Sequence, residues 1–562
     1  MRRCHFQRLV LSKYLFLAGC SYFISFYAYS DNGIAPVSPA TQASIEQEQR
    51  QRLQEIEQAK QSVQQLSELP TVPPAEPSGA QQCFSIQHIV FSGNTIFSHQ
   101  QILTWIDFKP GCQGLSQINE YLRIITNQYI SAGYVTSRAY LVPQDLSRGE
   151  LKIVILEGKL EALKFNGRTE GFLNNAFPGL IDHLFNLREI EQGLDQINRL
   201  SRYNAQIKIR PGSKQGYSIV DIQSDTRFWG NTSVGVENAG QKSTGETQFR
   251  YAFNAENIID ALDQWSFSGS RSLDPPTGHA SESLSLSLDV PYGRWNTNYR
   301  TTYSHYESGF VSNDFVFGTS GKTNSHDVTL KRLLARDAQS KSFVTVGLSH
   351  RREKNYLMDS LIIASSRNLS SAYVGLDYST RLGSGFLTVS PRLTMGSDLF
   401  GGERNQPGFP KAQFRKGTLT ASYTQPFQSG PVFTSTLFAQ WSNDTLYSSQ
   451  RLSIGGEYSV RGFKDVSISG DQGYYWRNDL SYPLGTLPYI GQVSAQWAVD
   501  TGSIVRDKND ALERGSLMGT RLAIRTRSHR FSSSIAIGMP LDAPGALDAD
   551  HYIVNYRLNI AI

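Results

Sequence analysis

The side chains best suited to specific chemistry lie in one stretch, Arg451–Leu480 (RLSIGGEYSVRGFKDVSISGDQGYYWRNDL). At its centre, Val460-Arg461-Gly462-Phe463 sets a guanidinium beside a glycine. A guanidinium is a fixed fork of donors that can grip a carboxylate through two parallel hydrogen bonds. The adjacent glycine lets the chain turn tightly there. Such chemistry pins a segment in place and transforms no substrate. Catalytic signatures are missing: the chain has no Gly-x-Ser-x-Gly, Walker loop or His-Glu-x-x-His. Its ten histidines are scattered without ligand spacing, and its carboxylates form no acid–base pair. No enzyme activity, metal or cofactor is expected.

A chain of 562 residues has room for two to four domains. Charged residues make up 18%, below the usual quarter, whereas aromatics (11%) and glycine (47 residues) are abundant. The net charge of +5 comes without a basic stripe, so no nucleic-acid partner is expected. Past the first thirty residues no apolar run approaches the ~20 residues of a transmembrane helix. The chain is therefore either soluble or barrel-forming. At the N-terminus, Arg2, Arg3 and Arg8 precede an apolar region ending at Ala28-Tyr29-Ser30, which predicts a signal peptide (1–30) cleaved between Ser30 and Asp31. Leu17-Ala18-Gly19-Cys20 matches a lipoprotein box, but the residues after Cys20 stay apolar where a lipid tether turns polar. Cleavage leaves Cys83 and Cys112, most simply a disulfide in an oxidising compartment, with two buried thiols as the alternative.

From residue 227 to 562 the pattern has period two. Leu284, Leu286, Leu288 and Val290 alternate with Ser283, Ser285, Ser287 and Asp289. Ala372, Val374, Leu376 and Tyr378 repeat the pattern, and the last strand sets Tyr552, Val554, Tyr556, Leu558, Ile560 and Ile562 on one face. This is the signature of transmembrane β-strands, which must close into a barrel because a bilayer offers backbone amides no partner. The 336 residues from 227 to 562 supply about 21 for each of sixteen strands, and eighteen also fits the count.

Two α/β units precede the barrel. Residues 83–158 read as a strand over Phe84–Phe91, helices over Ser98–Ile106 and Ser116–Ala132, a terminating Gly133, and strands over Tyr134–Leu141 and Glu150–Glu157. Residues 159–226 repeat this order with strands over Leu160–Phe165, Ala205–Arg210 and Tyr217–Ile222 and a helix over Leu187–Leu200. Within the segment 31–67, a Gln- and Glu-rich helix is predicted over Ser44–Leu66, with Ser44 as cap. Its apolar stripe (Ile45, Leu53, Ile56, Val63, Leu66) is thin, so it is either a solvated tether or a polar plug in a barrel lumen. Pro70, Pro73, Pro74 and Pro77 make 68–82 a semi-rigid linker.

The stretch Gly133–Gly158 (GYVTSRAYLVPQDLSRGELKIVILEG), through Gly133, Tyr134, Arg138, Tyr140, Pro143, Gly149 and Gly158, resembles the first polypeptide-transport-associated (POTRA) domain of two-partner secretion transporters. Val460-Arg461-Gly462-Phe463 resembles the inward-folding loop of Omp85-superfamily barrels, near 455–475 in this chain. The resemblance implies a bacterial outer-membrane β-barrel of sixteen antiparallel strands, two periplasmic POTRA domains and an N-terminal helix. It also implies that Arg461 meets an Asp-x-Gly motif on the barrel wall, here Asp500 and Gly502. Glu237-Asn238-Ala239-Gly240 is similar to the family's first barrel hairpin and reads as a turn. The implied function is that of a TpsB transporter of the hemolysin-activation or contact-dependent-inhibition type. It would work as a monomer in outer-membrane lipid and export a large β-helical TpsA-type exoprotein (toxin, hemolysin or adhesin). The alternative is a factor that inserts other barrels, but such proteins usually carry more POTRA domains and lack the Gln-rich helix.

Overall fold

The computed structural model describes residues 39–64, 66, 72–73, 83–273, 279–312, 315–505, 515–545 and 547–562. The expected signal peptide, the Ser30–Asp31 cleavage point, the lipoprotein box and most of the proline linker lie outside the described residues.

The first α/β unit departs from a single opening strand. Its apolar positions change phase at Gln87: Phe84 and Ile86 are even, Ile89 and Phe91 odd. One strand cannot turn both sets to the same side. The chain accordingly breaks into Cys83–Ile86, which pairs with an unanticipated strand Gly111–Gly114, and His88–Ser92. His88–Ser92 runs parallel to Glu150–Leu156, and Arg138–Leu141 forms the other edge of that sheet. The strand expected from Tyr134 starts only at Arg138, because Val135 and Ser137 donate locally, to Gly133 O and Tyr134 O, in a turn. The helices are His99–Ile106, capped reciprocally by Ser98 and Gln101, and Leu115–Ser131. The second helix ends in a Schellman motif: Gly133 (φ 96°) donates to Ile130 O and Tyr134 to Tyr129 O.

The second unit has a sheet of Lys159–Phe165, Tyr217–Gln223 and Gln206–Pro211, in that spatial order, backed by the helix Leu187–Asn198 and an unanticipated turn of helix, Leu173–Ala176. Its core includes Leu262, which belongs to a hairpin turn of the barrel. The two bodies are thus joined by shared packing as well as by the chain.

Sixteen antiparallel strands close the barrel among the described residues, from Gly230–Glu237 to Ile553–Ala561. The two-residue strand Ser360–Leu361 extends one ladder beyond it. First and last strands meet over a short register, Glu237 opposite Arg557 to Ser233 opposite Ala561. Leu286, Val328, Leu330, Val346, Leu348, Val374, Leu376, Leu558 and Ile560 are exposed on the outer face, while Thr345, Arg351 and Glu353 are buried facing the lumen. Three consecutive strands, Trp295–Ser312, Phe315–Arg336 and Ser340–Leu357, have 18, 22 and 18 residues. A bilayer needs only about 9–11, so these strands project beyond it on the side away from the α/β units.

The helix Pro39–Gln64, here α1, lies inside the barrel. It begins upstream of Ser44, so Ser44 is not its cap: its Oγ accepts from Arg351 Nη1 of the wall at 2.6 Å. A proline suits the first helical turn, where its missing N–H is not needed.

Candidate functional site: a pinned loop and a helix in the barrel lumen

The chain between strands Val432–Ser442 and Gly473–Leu487 folds back into the barrel. A small hairpin, Leu452–Ile454 with Ile468–Gly470, supports its tip. Apolar residues on the loop and on the wall around it (Ile454, Val460, Phe463, Tyr475, Ile504, Leu517) form a separate core within the lumen.

Arg461 is at this tip and is 2% exposed. Its Nε donates to Asp500 Oδ2 at 2.6 Å and its Nη2 to Asp500 Oδ1 at 2.7 Å, and its backbone N–H reaches Oδ2 at 3.0 Å. The remaining arm, Nη1, donates to Asp479 Oδ1 at 2.5 Å. One guanidinium thus joins the buried Asp500 and the half-buried Asp479, wall carboxylates from adjacent strands. A buried charge is tolerable only when paired and hydrogen-bonded this fully.

The backbone must also come close to the wall. Gly462 has φ 100°, and a Cβ there would meet Met539 O at 2.5 Å. A Cβ on wall residue Gly519 would sit 1.9 Å from Arg461 O, and one on Gly538 would lie 3.1 Å from Gly462 Cα. A Cβ on Gly502 would reach Val460 Cγ2 at 2.9 Å. These wall glycines form a seat for the tip. Glu457 extends the network, pairing with Arg521 at 3.3 Å and accepting from Asn555 at 3.3 Å.

α1 is held in the lumen by polar contacts with the wall and the inward loop. Thr41 Oγ1 donates to Glu353 at 2.6 Å, and Gln49 donates to Ser453 O of the inward loop at 2.9 Å. Arg52 donates to the Tyr475 hydroxyl at 2.9 Å and lies 3.6 Å above the Phe438 ring. At the helix C-terminus, where carbonyls lack intrahelical partners, Lys341 Nζ donates to Ser62 O at 2.9 Å. Arg381 Nη2 donates to Gln64 O and Leu66 O, both at 2.7 Å. The same Lys341 pairs with Asp195 of the second α/β unit at 2.6 Å, and Arg336 also pairs with Asp195. The helix thus runs inside the barrel, touching both its wall and the inward loop.

Three participants escape a motif reading. Asp479 is accessible from alternation alone: Tyr474 and Trp476 face outward, so Arg477 and Asp479 must face inward. Glu237, read as part of a turn, instead ends the first strand; its carboxylate pairs with Arg250 and with Arg557 of the last strand. Gly519 carries no local signal. In the first α/β unit, Cys83 and Cys112 form a disulfide. Gly133 and Gly158 face the junction with the second unit, where Leu187 N–H donates to Gly133 O and Phe185 N–H to Gly158 O, each at 2.8 Å. Gly149 ends a short turn at φ 75°, Arg138 holds the carbonyls of Val135 and Ser137, and Tyr140 and Pro143 are exposed.

A closed sixteen-stranded barrel behind two POTRA domains, with an inward loop and a helix in its lumen, defines an outer-membrane transporter with its POTRA domains in the periplasm. The chain belongs to the haemolysin secretion/activation protein family ShlB/FhaC/HecB, which matches residues 216–526. A ShlB-type POTRA domain matches residues 84–158 and a second POTRA domain 159–211. The chain is similar to the outer membrane transporter CdiB of Dickeya dadantii (36% identical, covering 85% of this chain and 87% of that one) and to CdiB of Escherichia coli (37%, covering 85% and 82%). The hemolysin transporter protein ShlB of Serratia marcescens is 26% identical over 79% of this chain and 80% of its own length. The solved structure of CdiB from Escherichia coli matches with a TM-score of 0.90 at 35% identity, over 94% of this chain and 100% of that one. These relatives make it a two-partner secretion transporter.

Proposed function

We propose that the exported partner is a large β-helical exoprotein of the TpsA type, a toxin, hemolysin or adhesin, presented unfolded on the periplasmic side. The protein acts as a monomer in outer-membrane lipid, without an enzymatic step or cofactor and without a nucleic-acid partner. The client would add a strand to exposed POTRA edges, Arg138–Leu141 or Gln206–Pro211, where Tyr140, Leu141 and Ile209 are exposed. α1 would then leave the lumen, while Arg461, Asp500 and Asp479 keep the loop seated. The mature chain would begin at Asp31, with the Cys83–Cys112 disulfide, Gly133 and Gly158 stabilising the POTRA pair.

The observation that carries this reading is the polar character of α1's lumen contacts. Hydrogen bonds to charged groups, as most of these are, contribute only about 1.5–3 kcal/mol each, and water can replace them, so the plug can be withdrawn. The test is co-expression with a large exoprotein encoded beside this chain, assaying its release with and without residues 83–224. Release that depends on those residues supports the proposal. If no client is released but other outer-membrane barrels fail to assemble without this protein, the proposal fails in favour of barrel insertion.

A further inference from the structure

The projecting strands carry an unusual outer face. Lys322 stands directly opposite Lys354 in register, and Asn324 opposite Arg352. Side chains two apart on a strand share a face, so Lys322, Arg352 and Lys354 form one triangle with roughly 5–8 Å between neighbours. Their companions Asn324, His326, Val328 and Leu330 are exposed on the same face. Like charges directly opposite destabilise a ladder unless something offsets them. Among the described residues the side chains of these three cations make no ion pair or hydrogen bond. Three acidic residues come near this face: Glu282 and Glu307 flank His305, which stands opposite Lys322 (Glu282 opposite His305 in register, Glu307 accepting from its ring at 3.3 Å), and Glu403 is held by the backbone N–H of Asn368, the register neighbour of Arg352.

The height of the triangle is set by the strands. Counting from the short turn at 337–339, Arg352 is the thirteenth and Lys354 the fifteenth residue of Ser340–Leu357, and Lys322 is the fifteenth counted back from Arg336. About 9–11 residues cross the hydrocarbon. Below the triangle comes the facing pair His326 and His350, and then Val328, Leu330, Val346 and Leu348, exposed on the lipid face. The cations therefore stand just past the outer edge of the apolar band, where lipid phosphates lie, and clear of the bilayer centre, where such charges are costly.

We propose that Lys322, Arg352 and Lys354 form a binding site for the phosphate groups of an outer-leaflet lipid headgroup, held against the outer wall of the barrel. Lys322 and Lys354 supply point charges and Arg352 a planar fork that can grip phosphate oxygens in pairs. Asn324, between them on the same face, adds a neutral donor. The site rests on the outer-membrane orientation alone and is independent of which client is exported.

The test uses the purified full chain in uncharged detergent, titrated with diphosphoryl lipid A, with the same lipid lacking its phosphates, and with inorganic phosphate; binding is read from the shift in thermal unfolding of the barrel. Wild-type protein is expected to respond to diphosphoryl lipid A only. Each cation near a charged lipid surface is worth about a fivefold change in affinity. The triple variant Lys322→Gln, Arg352→Gln, Lys354→Gln should therefore bind roughly a hundredfold more weakly. A single Lys354→Gln should weaken binding about fivefold, and the Lys322→Arg, Lys354→Arg pair should retain it. Undiminished affinity in both Gln variants, or an equal response to the phosphate-free lipid or to inorganic phosphate, would overturn the site.

Discussion

Lys341 of the barrel wall and Asp195 of the second POTRA domain meet at 2.6 Å, and the same ammonium donates to Ser62 O at the end of α1. One nearly buried cation thus touches both the plug and the transport domain. Replacing it by Lys341→Met should leave Ser62 O without this donor and Asp195 with Arg336 alone. Planar-bilayer recordings should show open events several-fold more frequent. The exposed pair Arg294–Glu189 is a control: such pairs are worth at most about 1 kcal/mol, so Arg294→Gln should leave the recordings unchanged. Equal effects would place the coupling elsewhere.

Arg461→Ala should leave the buried Asp500 and the half-buried Asp479 without their shared cation. Breaking such a constellation costs about 3–5 kcal/mol, enough to unseat the loop. Client secretion should fall sharply while the protein still reaches the membrane, and protease should cut between residues 455 and 465. Arg461→Lys should recover only part of the function, because an ammonium cannot reproduce the two-armed grip on Asp500. Undiminished secretion in the alanine variant would refute the role assigned to the loop.

Gly519→Ala tests the seat without touching a charge. Its Cβ would overlap Arg461 O, a backbone atom that cannot swing aside. The expected result is a secretion defect comparable with that of Arg461→Ala. Gly502→Ala should be milder, since its nearest obstacle is a side-chain methyl of Val460. Normal secretion by the Gly519 variant would mean that the loop does not rest against the wall during export.

The disulfide closes a loop with a sequence separation of 29. Loop closure of this length stabilises a folded domain by about 3–4 kcal/mol. The Cys83→Ser, Cys112→Ser double variant should therefore expose the first POTRA domain to protease at lower urea than wild type, with the barrel unaffected. Coincident proteolysis profiles would remove the disulfide from the stability of that domain.

The barrel is legible because alternation is a local property: each outward Leu or Val in 284–290 identifies its own face. Arg461 is legible from its tetrapeptide, since guanidinium beside glycine has few uses in a long loop. Asp479 follows only when alternation is carried along the strand from Tyr474. Gly519 and Gly538 cannot be read locally, because what matters is the backbone of residues 461–462 pressing on them from another part of the chain. The helix start is misread at Ser44 for a similar reason: a serine that can cap is instead held by Arg351 of a distant strand. At Gln87 the signal is present, a phase change in the apolar pattern, but it takes close attention to parity to separate two strands from one.

The helix in the lumen is also a measure of calibre. With side chains, an α-helix is about 10–12 Å across, and strands in a sheet lie about 4.8 Å apart. If α1 withdraws while Arg461 keeps the loop seated, the vacated bore admits one extended chain or a narrow hairpin, but no folded domain. The width of the plug thereby dictates the state of the cargo, which must travel as thread and acquire its shape on the far side.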